Sequence, residues 1–279
     1  MRRRAFIASA AALAALPAAA QQRRRAPDIE RIFDRGWLVA AVPAFAVPPF
    51  VTFGADGALG GHDIGLAQGM ARALGLPVAF ARAASFDAIV DSVASDAADL
   101  GLGRLSATLA RAELVRFSRP YLVLHHALLV SRPRFAHLAP DGAPMAPLKA
   151  GDAPLAIVPG TAAAEYARSL VAQARLREYA RWDPDVVDAV RGGEVIAGCG
   201  DEVEVKRALA ARPDAPLQLR AVVLPETRDP IALALPWDSG QLLAWVDLYI
   251  DGAGPPPTVE QLLGQPEKGT ERMRGEDQR

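Results

Sequence analysis

Apolar residues in the first half of the chain follow two spacings. Continuous apolar runs predict buried strands, and apolar residues three or four positions apart predict amphipathic helices. The predicted order is a helix from Pro27 that stops at Gly36, a strand at 38–42, a helix at 63–74, a strand at 78–80, a helix capped by Ser85 and a strand at 100–103. Strands that alternate with helices indicate βαβ units and a mainly parallel sheet.

The same alternation returns after a loop rich in proline and glycine at 137–152. The pattern predicts strands at 155–158 and 195–200, and helices at 161–176, 185–191, 239–250 and 258–263. An offset of 97 positions aligns Val90, Asp91, Val93, Gly101 and Gly103 with Val187, Asp188, Val190, Gly198 and Gly200. This internal similarity favours two lobes that share a helix-then-strand module.

Opposite charges follow the matching strands of the two halves. Arg104 comes directly after the strand at 100–103, and Asp201 comes directly after the strand at 195–200. Ligands of open α/β sheets bind outside the carboxyl ends of the strands. The two residues therefore either face each other across a cleft or are surface charges at ordinary loop starts, and the sequence leaves both interpretations open.

The N-terminus has the pattern of an export signal. Three arginines at 2–4 precede an uncharged apolar stretch at 5–16 and the sequence Ala18-Ala19-Ala20, which predicts a signal peptide at 1–20 with cleavage after Ala20. The stretch is shorter than the roughly 20 apolar residues that span a bilayer. The sequence Arg3-Arg4-Ala5-Phe6-Ile7 resembles the twin-arginine motif, so export by either the Tat or the Sec route stays open.

Composition narrows the class of protein further. Cleavage after Ala20 removes three arginines and no acid, which changes the formal net charge from −1 to −4 and gives no support for nucleic-acid or anionic-membrane binding. Cys199 is the only cysteine, so no intramolecular disulfide and no lipid-attachment cysteine at the cleavage site is possible. We expect a soluble protein of a Gram-negative periplasm, with no cofactor and no metal.

A series of motifs between 38 and 133 carries a family resemblance. In order, the chain shows Pro48-Pro49-Phe50, Gly60-Gly61-His62-Asp63-Ile64, Phe86-Asp87, Asp99-Leu100, Ser106 to Glu113, and Val115 to Tyr121. The second half continues with Pro159-Gly160-Thr161, Asp188 to Gly193 and Gly200-Asp201-Glu202. In order and spacing this chain resembles the family 3 extracellular solute-binding proteins, the amino-acid receptors of ABC importers, from about 38 to 250.

The resemblance implies a type II periplasmic-binding-protein fold, in which two α/β lobes are joined by two crossing segments near 122–127 and 224–230. It places 27–124 and 231–264 in lobe one and 125–230 in lobe two, and 265–279 is predicted to be a disordered tail. Such proteins close on a small-molecule ligand by hinge motion. The expected partner is the membrane permease of an ABC transporter, and a monomer is expected.

The resemblance also implies roles for individual residues. Arg111 matches the arginine that binds the α-carboxylate of the ligand, and its planar guanidinium suits that group. Ser106 would add a hydroxyl or backbone donor, Thr161 opens a helix whose free N–H groups would hold the same carboxylate, and Asp201 would accept the α-ammonium group. The structural alternatives are a solvated arginine at a helix end for Arg111, a plain helix cap for Thr161 and an acid in a turn for Asp201.

The chain departs from the family pattern at several positions. The residue seven before the binding arginine is usually small but is Arg104 here, and Arg119 replaces the acid before Pro120. Arg104 would either bind a second anionic group, as in an acidic amino acid or a dicarboxylate, or pair with Asp201 across the cleft. Phe86 is the preferred aromatic platform for the ligand, whereas Phe45 and Phe50 are predicted core residues.

Some relatives with this fold are periplasmic cyclohexadienyl dehydratases that act on prephenate or arogenate. In them a glutamate near the place of Glu204 serves as general acid. That enzyme is the alternative function here, with Glu204 as the candidate catalytic residue. The sequence favours the non-enzymatic binding protein, because an acid three residues after Asp201 is common on an exposed helix turn.

Overall fold

The computed structural model describes residues 25–138, 148, 154–171, 175–212 and 215–264. The predicted signal peptide at 1–20, the predicted tail at 265–279 and most of the predicted loop at 137–152 lie outside the described residues.

Strands and helices alternate along the described chain. The strands are β1 (Leu38–Pro43), β2 (Thr52–Phe53), β3 (Leu59–Gly60), β4 (Val78–Ala83), β5 (Leu100–Gly101), β6 (Arg116–Phe117), β7 (Leu122–Leu124), β8 (His126–Ser131), β9 (Leu155–Ile157), β10 (Leu176–Glu178), β11 (Ala197–Asp201), β12 (Leu219–Val223), β13 (Asp229–Ile231) and β14 (Ala234–Leu235). The helices are α1 (Pro27–Arg35), α2 (His62–Leu74), α3 (Phe86–Ala94), α4 (Leu109–Ala112), α5 (Arg132–Leu138), α6 (Ala162–Leu170), α7 (Val187–Gly192), α8 (Glu202–Ala210), α9 (Ala215–Gln218), α10 (Gly240–Gly252) and α11 (Val259–Gly264), and a kinked turn at Trp182–Val186 leads into α7.

Local capping signals set several helix ends. Ser85 caps α3 by accepting a hydrogen bond from the backbone N–H of Ala88 at 3.1 Å. Gly36 and Gly75 end α1 and α2 in the left-handed conformation, with φ of 88° and 74°. The predicted helix at 161–176 is too long, because α6 ends at Leu170 and the next residue is extended. Leu176, the last residue of the predicted helix, instead begins β10.

Two five-stranded sheets organise the molecule, one in each lobe of the predicted two-lobed α/β fold. The strand order is β4-β1-β5-β14-β6 in lobe one and β10-β9-β11-β8-β12 in lobe two. Each sheet combines two parallel pairs with two antiparallel pairs. One strand in each sheet, β14 in lobe one and β8 in lobe two, runs opposite to the other four, so each sheet is mainly parallel in strand direction, as predicted.

A short antiparallel ribbon joins the two sheets. β7 pairs with β13 in the register Leu122 to Ile231 and Leu124 to Asp229. β7 leads directly into β8 of lobe two, and β13 returns the chain from β12 to β14 of lobe one. Both passages between the lobes therefore run through one hydrogen-bonded element.

The central strands are buried on both faces. In β1, Leu38 and Val42 pack in one apolar cluster of lobe one, and Ala41 packs in the other. In β8, Leu128 and Leu129 divide in the same way between the two clusters of lobe two. Successive side chains of a strand point to opposite faces, so a strand covered on both faces needs a continuous apolar run.

The turn that carries Trp182 and Val186 packs against two glycines of β11. A Cβ atom at Gly200 would lie 2.8 and 2.9 Å from ring carbons of Trp182, and one at Gly198 would collide with the Val186 side chain. The kinked turn before α7 therefore packs directly on the backbone of the strand. The absence of side chains at these two positions lets the turn lie this close to the strand that ends at Asp201.

We predict that Gly198→Ala lowers the free energy of unfolding by about 1–3 kcal/mol, the usual effect of overpacking a close contact. Urea denaturation followed by circular dichroism measures the change. Gly192→Ala is the matched control, because a Cβ there meets no atom within 4 Å. Equal stability of the two variants would contradict the packing role of Gly198.

Candidate functional site

The turn after β5 is fixed by a buried carboxylate. Asp63, fully buried at the start of α2, accepts hydrogen bonds from the backbone N–H groups of Gly103 at 3.0 Å and Arg104 at 2.7 Å. The hydroxyl of Tyr121 donates to the same carboxylate at 2.7 Å. This clamp holds Arg104 at a φ of 60°, in the left-handed region that residues other than glycine rarely adopt. The side chain of Arg104 is thereby aimed at lobe two.

Arg104 forms an ion pair with Asp201 across the cleft. The two side chains are 9% and 8% exposed, and Nη1 of Arg104 also lies 3.4 Å from Oε2 of Glu204. Asp201 in addition caps α8 by accepting a hydrogen bond from the N–H of Glu204 at 2.9 Å. Of the interpretations that the sequence left open for Arg104, the structure contains the cross-cleft pair, and these two residues are not surface charges at loop starts.

Arg111 is buried between the lobes. Its guanidinium donates to the carbonyl of Ser106 at 3.1 Å and to Asp87 at 3.2 Å, both in lobe one, and to the carbonyl of Gly160 in lobe two at 2.9 Å. It is therefore not a solvated helix-end arginine. The carboxylate of Asp87 is 68% exposed, so its contact with Arg111 lies at the rim of the cleft.

Ser106 contacts a carboxylate that the sequence analysis did not single out. Its hydroxyl donates to Asp229 at 3.0 Å. Burial raises the pKa of Asp229 to about 6, against the opposing effects of the Ser106 hydrogen bond and the charges of Arg104 and Arg111. The predicted crossing segment at 224–230 also contains Glu226 and Arg228, so no feature of the sequence singled out Asp229.

Thr161 caps α6 as its sequence position suggested. Its hydroxyl donates to the carbonyl of Val158 at 2.8 Å and accepts from the N–H of Ala164 at 3.2 Å. The side chain is thus engaged within lobe two. Ala162 and Ala163, in the first turn of α6, line the same pocket as Arg111, which brings a helix N-terminus to the site.

Phe86 lies beside both site arginines. The guanidinium carbons of Arg104 and Arg111 are 5.7 and 5.9 Å from the centre of its ring. Phe45 packs edge-to-face on it with the ring centres 5.5 Å apart. The prediction that Phe45 is a core residue is wrong, since it is 39% exposed and lines the cleft, whereas Phe50 is fully buried as predicted.

Two adjoining cavities occupy the cleft. The inner pocket has a volume of about 20 Å³ and is lined by every predicted site residue together with Asp229: Phe86, Arg104, Ser106, Arg111, Thr161, Asp201 and Glu204. The outer cavity has a volume of about 590 Å³ and shares four of these residues, Phe86, Arg104, Thr161 and Glu204. The inner pocket has room for about one water molecule, and the outer cavity has the size of an ordinary ligand site.

Other polar residues of note lie away from the cavities. His125 contacts the carbonyl of Thr227 through Nδ1 at 2.5 Å, and burial lowers the pKa of His126 to about 4. The described residues contain no group of three or more His, Cys, Asp or Glu side chains that could hold a metal ion. No helix in the described part of the chain is long and apolar enough to cross a membrane.

The fold and the cleft define a two-lobed periplasmic binding protein. The model of the family described as bacterial extracellular solute-binding proteins, family 3, matches residues 40–259. The chain belongs to this family, as the order of its motifs predicted. A comparison with curated proteins found no match.

Solved structures share the fold at low sequence identity. A putative ABC-transporter binding component from Wolinella succinogenes complexed with lysine has a TM-score of 0.67 and 22% identity, over 78% of this chain and 89% of that one. A substrate-binding protein from Streptococcus pneumoniae bound to L-arginine has a TM-score of 0.67 and 24% identity, over 85% of this chain and 95% of that one. The ancestral amino acid-binding protein AncCDT-1, described as a precursor of cyclohexadienyl dehydratase, has a TM-score of 0.65 and 24% identity, over 80% of this chain and 92% of that one.

We predict that Asp229→Asn stabilises the protein at pH 7.5 but not at pH 4. The folded-state pKa of about 6 lies above the ordinary 3.8, so ionisation of Asp229 lowers stability above pH 6 and this cost disappears as the pH falls to the ordinary value. The gain at pH 7.5 is at most about 3 kcal/mol, at about 1.4 kcal/mol per pKa unit.

Thermal unfolding of the two proteins at pH 4, 6 and 7.5 measures this difference. Asp238→Asn is the matched control, because Asp238 is an exposed carboxylate outside the cleft. A stability gain that is the same at pH 4 and pH 7.5 would contradict the assigned cause.

Proposed function

We propose that the protein captures a small carboxylate-bearing solute, an amino acid or a related carboxylate, and delivers it to the permease of an ABC importer. The observation that carries this proposal is the buried guanidinium of Arg111, which lines the inner pocket and bonds to groups of both lobes. Membership of the solute-binding family supports it, as does the description of a structural relative as an amino acid ABC transporter substrate-binding protein.

Arg111 acts in this proposal as the carboxylate receptor. A guanidinium and a carboxylate form two parallel charge-assisted hydrogen bonds. Asp87 is the anionic partner of Arg111 in the structure and is exposed on one side, so a ligand carboxylate would replace Asp87 at the rim. The first turn of α6 contributes backbone N–H donors from the other lobe, so one ligand group would connect both lobes.

Closure of the lobes about the β7–β13 ribbon is the proposed capture step. We assign 27–124 and 231–264 to lobe one and 125–230 to lobe two on this basis. Rotation about a two-stranded hinge leaves both sheets intact and changes only the contacts across the cleft. Exclusion of water from the closed cleft strengthens the polar contacts to the ligand. We further propose that the protein acts as a monomer in the periplasm after export.

Dehydration of prephenate or arogenate is a second candidate function, favoured by one observation. Glu204 lies in the inner pocket beside Arg104, and burial raises its pKa although the positive charge of Arg104 opposes the shift. A carboxyl group with a raised pKa is better suited to act as a general acid than an ordinary one. Formation of an aromatic product from either substrate, followed by ultraviolet absorbance and lost in Glu204→Gln, would establish this function.

We predict that a binding ligand raises the Tm of residues 21–279 and that Arg111→Ala abolishes the rise. A ligand at 100 times its Kd stabilises by about 2.7 kcal/mol, or roughly 5–10 °C for a chain of this size. The panel contains the twenty amino acids, small dicarboxylates, prephenate and arogenate, and the protein is refolded from denaturant before the assay to remove carried-over ligand.

Two variants make the result specific. Arg111→Lys keeps the charge but loses the planar fork, so the shift should be reduced rather than abolished. Arg119→Ala is the control, because Arg119 pairs with Asp251 on the exposed surface of lobe one. If Arg111→Ala keeps the full ligand-dependent shift, Arg111 is not the carboxylate receptor.

A further inference from the structure

The side chain of Arg104 occupies the place where the family resemblance puts the ligand's ammonium group. That resemblance assigns the ammonium to Asp201, and in the structure Asp201 pairs with Arg104. Both side chains are more than nine-tenths buried, and the surrounding pocket has a volume of only about 20 Å³. A ligand ammonium could therefore reach Asp201 only by displacing an arginine that belongs to the protein itself.

The backbone shows that Arg104 is held in this place. Its φ of 60° lies in the left-handed region, which glycine adopts freely and asparagine adopts more readily than arginine. The Asp63 carboxylate fixes this conformation through the N–H groups of Gly103 and Arg104. The strained turn therefore holds the guanidinium group of Arg104 against Asp201.

The outer cavity provides space for a ligand beside Arg104. Phe45 and Phe86 of lobe one and Pro159 and Trp182 of lobe two line it, and its volume is about 590 Å³. Flat apolar groups on both lobes suit a ligand with an apolar body. Asp87, the rim partner of Arg111, lines the same cavity, so a carboxylate that enters here can take the place of Asp87.

Arg104 retains hydrogen-bonding capacity toward such a ligand. Both of its ionic contacts, to Asp201 and to Glu204, involve Nη1. A guanidinium carries five N–H donors, which leaves those on Nε and Nη2 without a partner among the described residues. A carboxylate at the inner end of the outer cavity would thus meet donors of Arg104 and, once Asp87 is displaced, of Arg111.

We propose that Arg104 replaces the ammonium group of the ligand in this protein, so that the ligand is a carboxylate with an apolar body and no amino group. It lies in the outer cavity with its carboxylate toward Arg104 and Arg111. This inference rests on the proposed function and deepens it, since it selects the related carboxylate over the amino acid. It also predicts discrimination against the amino acid of the same shape.

Titration calorimetry with matched pairs of probes tests the inference on the refolded protein. The pairs are 3-phenylpropanoate with phenylalanine and glutarate with glutamate, whose members differ only by the amino group. We expect 3-phenylpropanoate to bind at least ten-fold more tightly than phenylalanine. In Arg104→Gly, which removes the cation and relaxes the turn, Asp201 becomes available and the ratio should shift at least ten-fold toward phenylalanine.

Arg104→Asn is a second variant compatible with a positive φ, in case the glycine variant does not fold. Arg119→Ala is the control and should keep the ratio of the unaltered protein. Equal or tighter binding of either amino acid by the unaltered protein, or a ratio that neither Arg104 variant changes, would overturn the inference and leave the proposed function intact. Failure of every protein to bind any of these probes or any compound of the thermal-shift panel would overturn both.

Discussion

The ion pair between Arg104 and Asp201 is the contact on which the arrangement of the cleft depends. It joins the ends of the two matching strands, β5 and β11, and so relates one lobe to the other. Burying two charges costs desolvation free energy that their attraction only partly offsets. Each partner therefore needs further support: Asp201 accepts the N–H of Glu204 at the cap of α8, and Arg104 is clamped through its backbone by Asp63.

Packing behind this pair determines where the charges are. Trp182 lies directly against Gly198 and Gly200, so β11 has no side chains on that face before it ends at Asp201. On the other side, Tyr121 donates to the carboxylate that fixes the Arg104 turn. Thus an aromatic residue supports the backbone next to each charge, Trp182 through the glycines of β11 and Tyr121 through the Asp63 carboxylate.

The site combines family features with one that belongs to this chain. Arg111, the first turn of α6 and the hinge ribbon are what the family resemblance implies, whereas Arg104 stands where the family has a small residue. Four carboxyl groups, those of Asp87, Asp201, Glu204 and Asp229, surround the guanidinium groups of Arg104 and Arg111. A carboxylate that contacts either arginine therefore competes with a carboxyl group of the protein itself.

The sequence by itself predicted the alternation of strands and helices, several helix caps and most of the residues that line the inner pocket. Ser85, Gly36 and Gly75 act through residues within four positions of themselves, so a local pattern is enough to place them. The family resemblance and the offset of 97 positions between the two halves together identified Arg104, Arg111 and Asp201. Tertiary structure alone decided that Arg104 pairs with Asp201, that Asp229 lies under Ser106 and that Trp182 packs on β11. These contacts join residues up to 123 positions apart, as for Ser106 and Asp229, and no periodicity along the chain encodes such a distance.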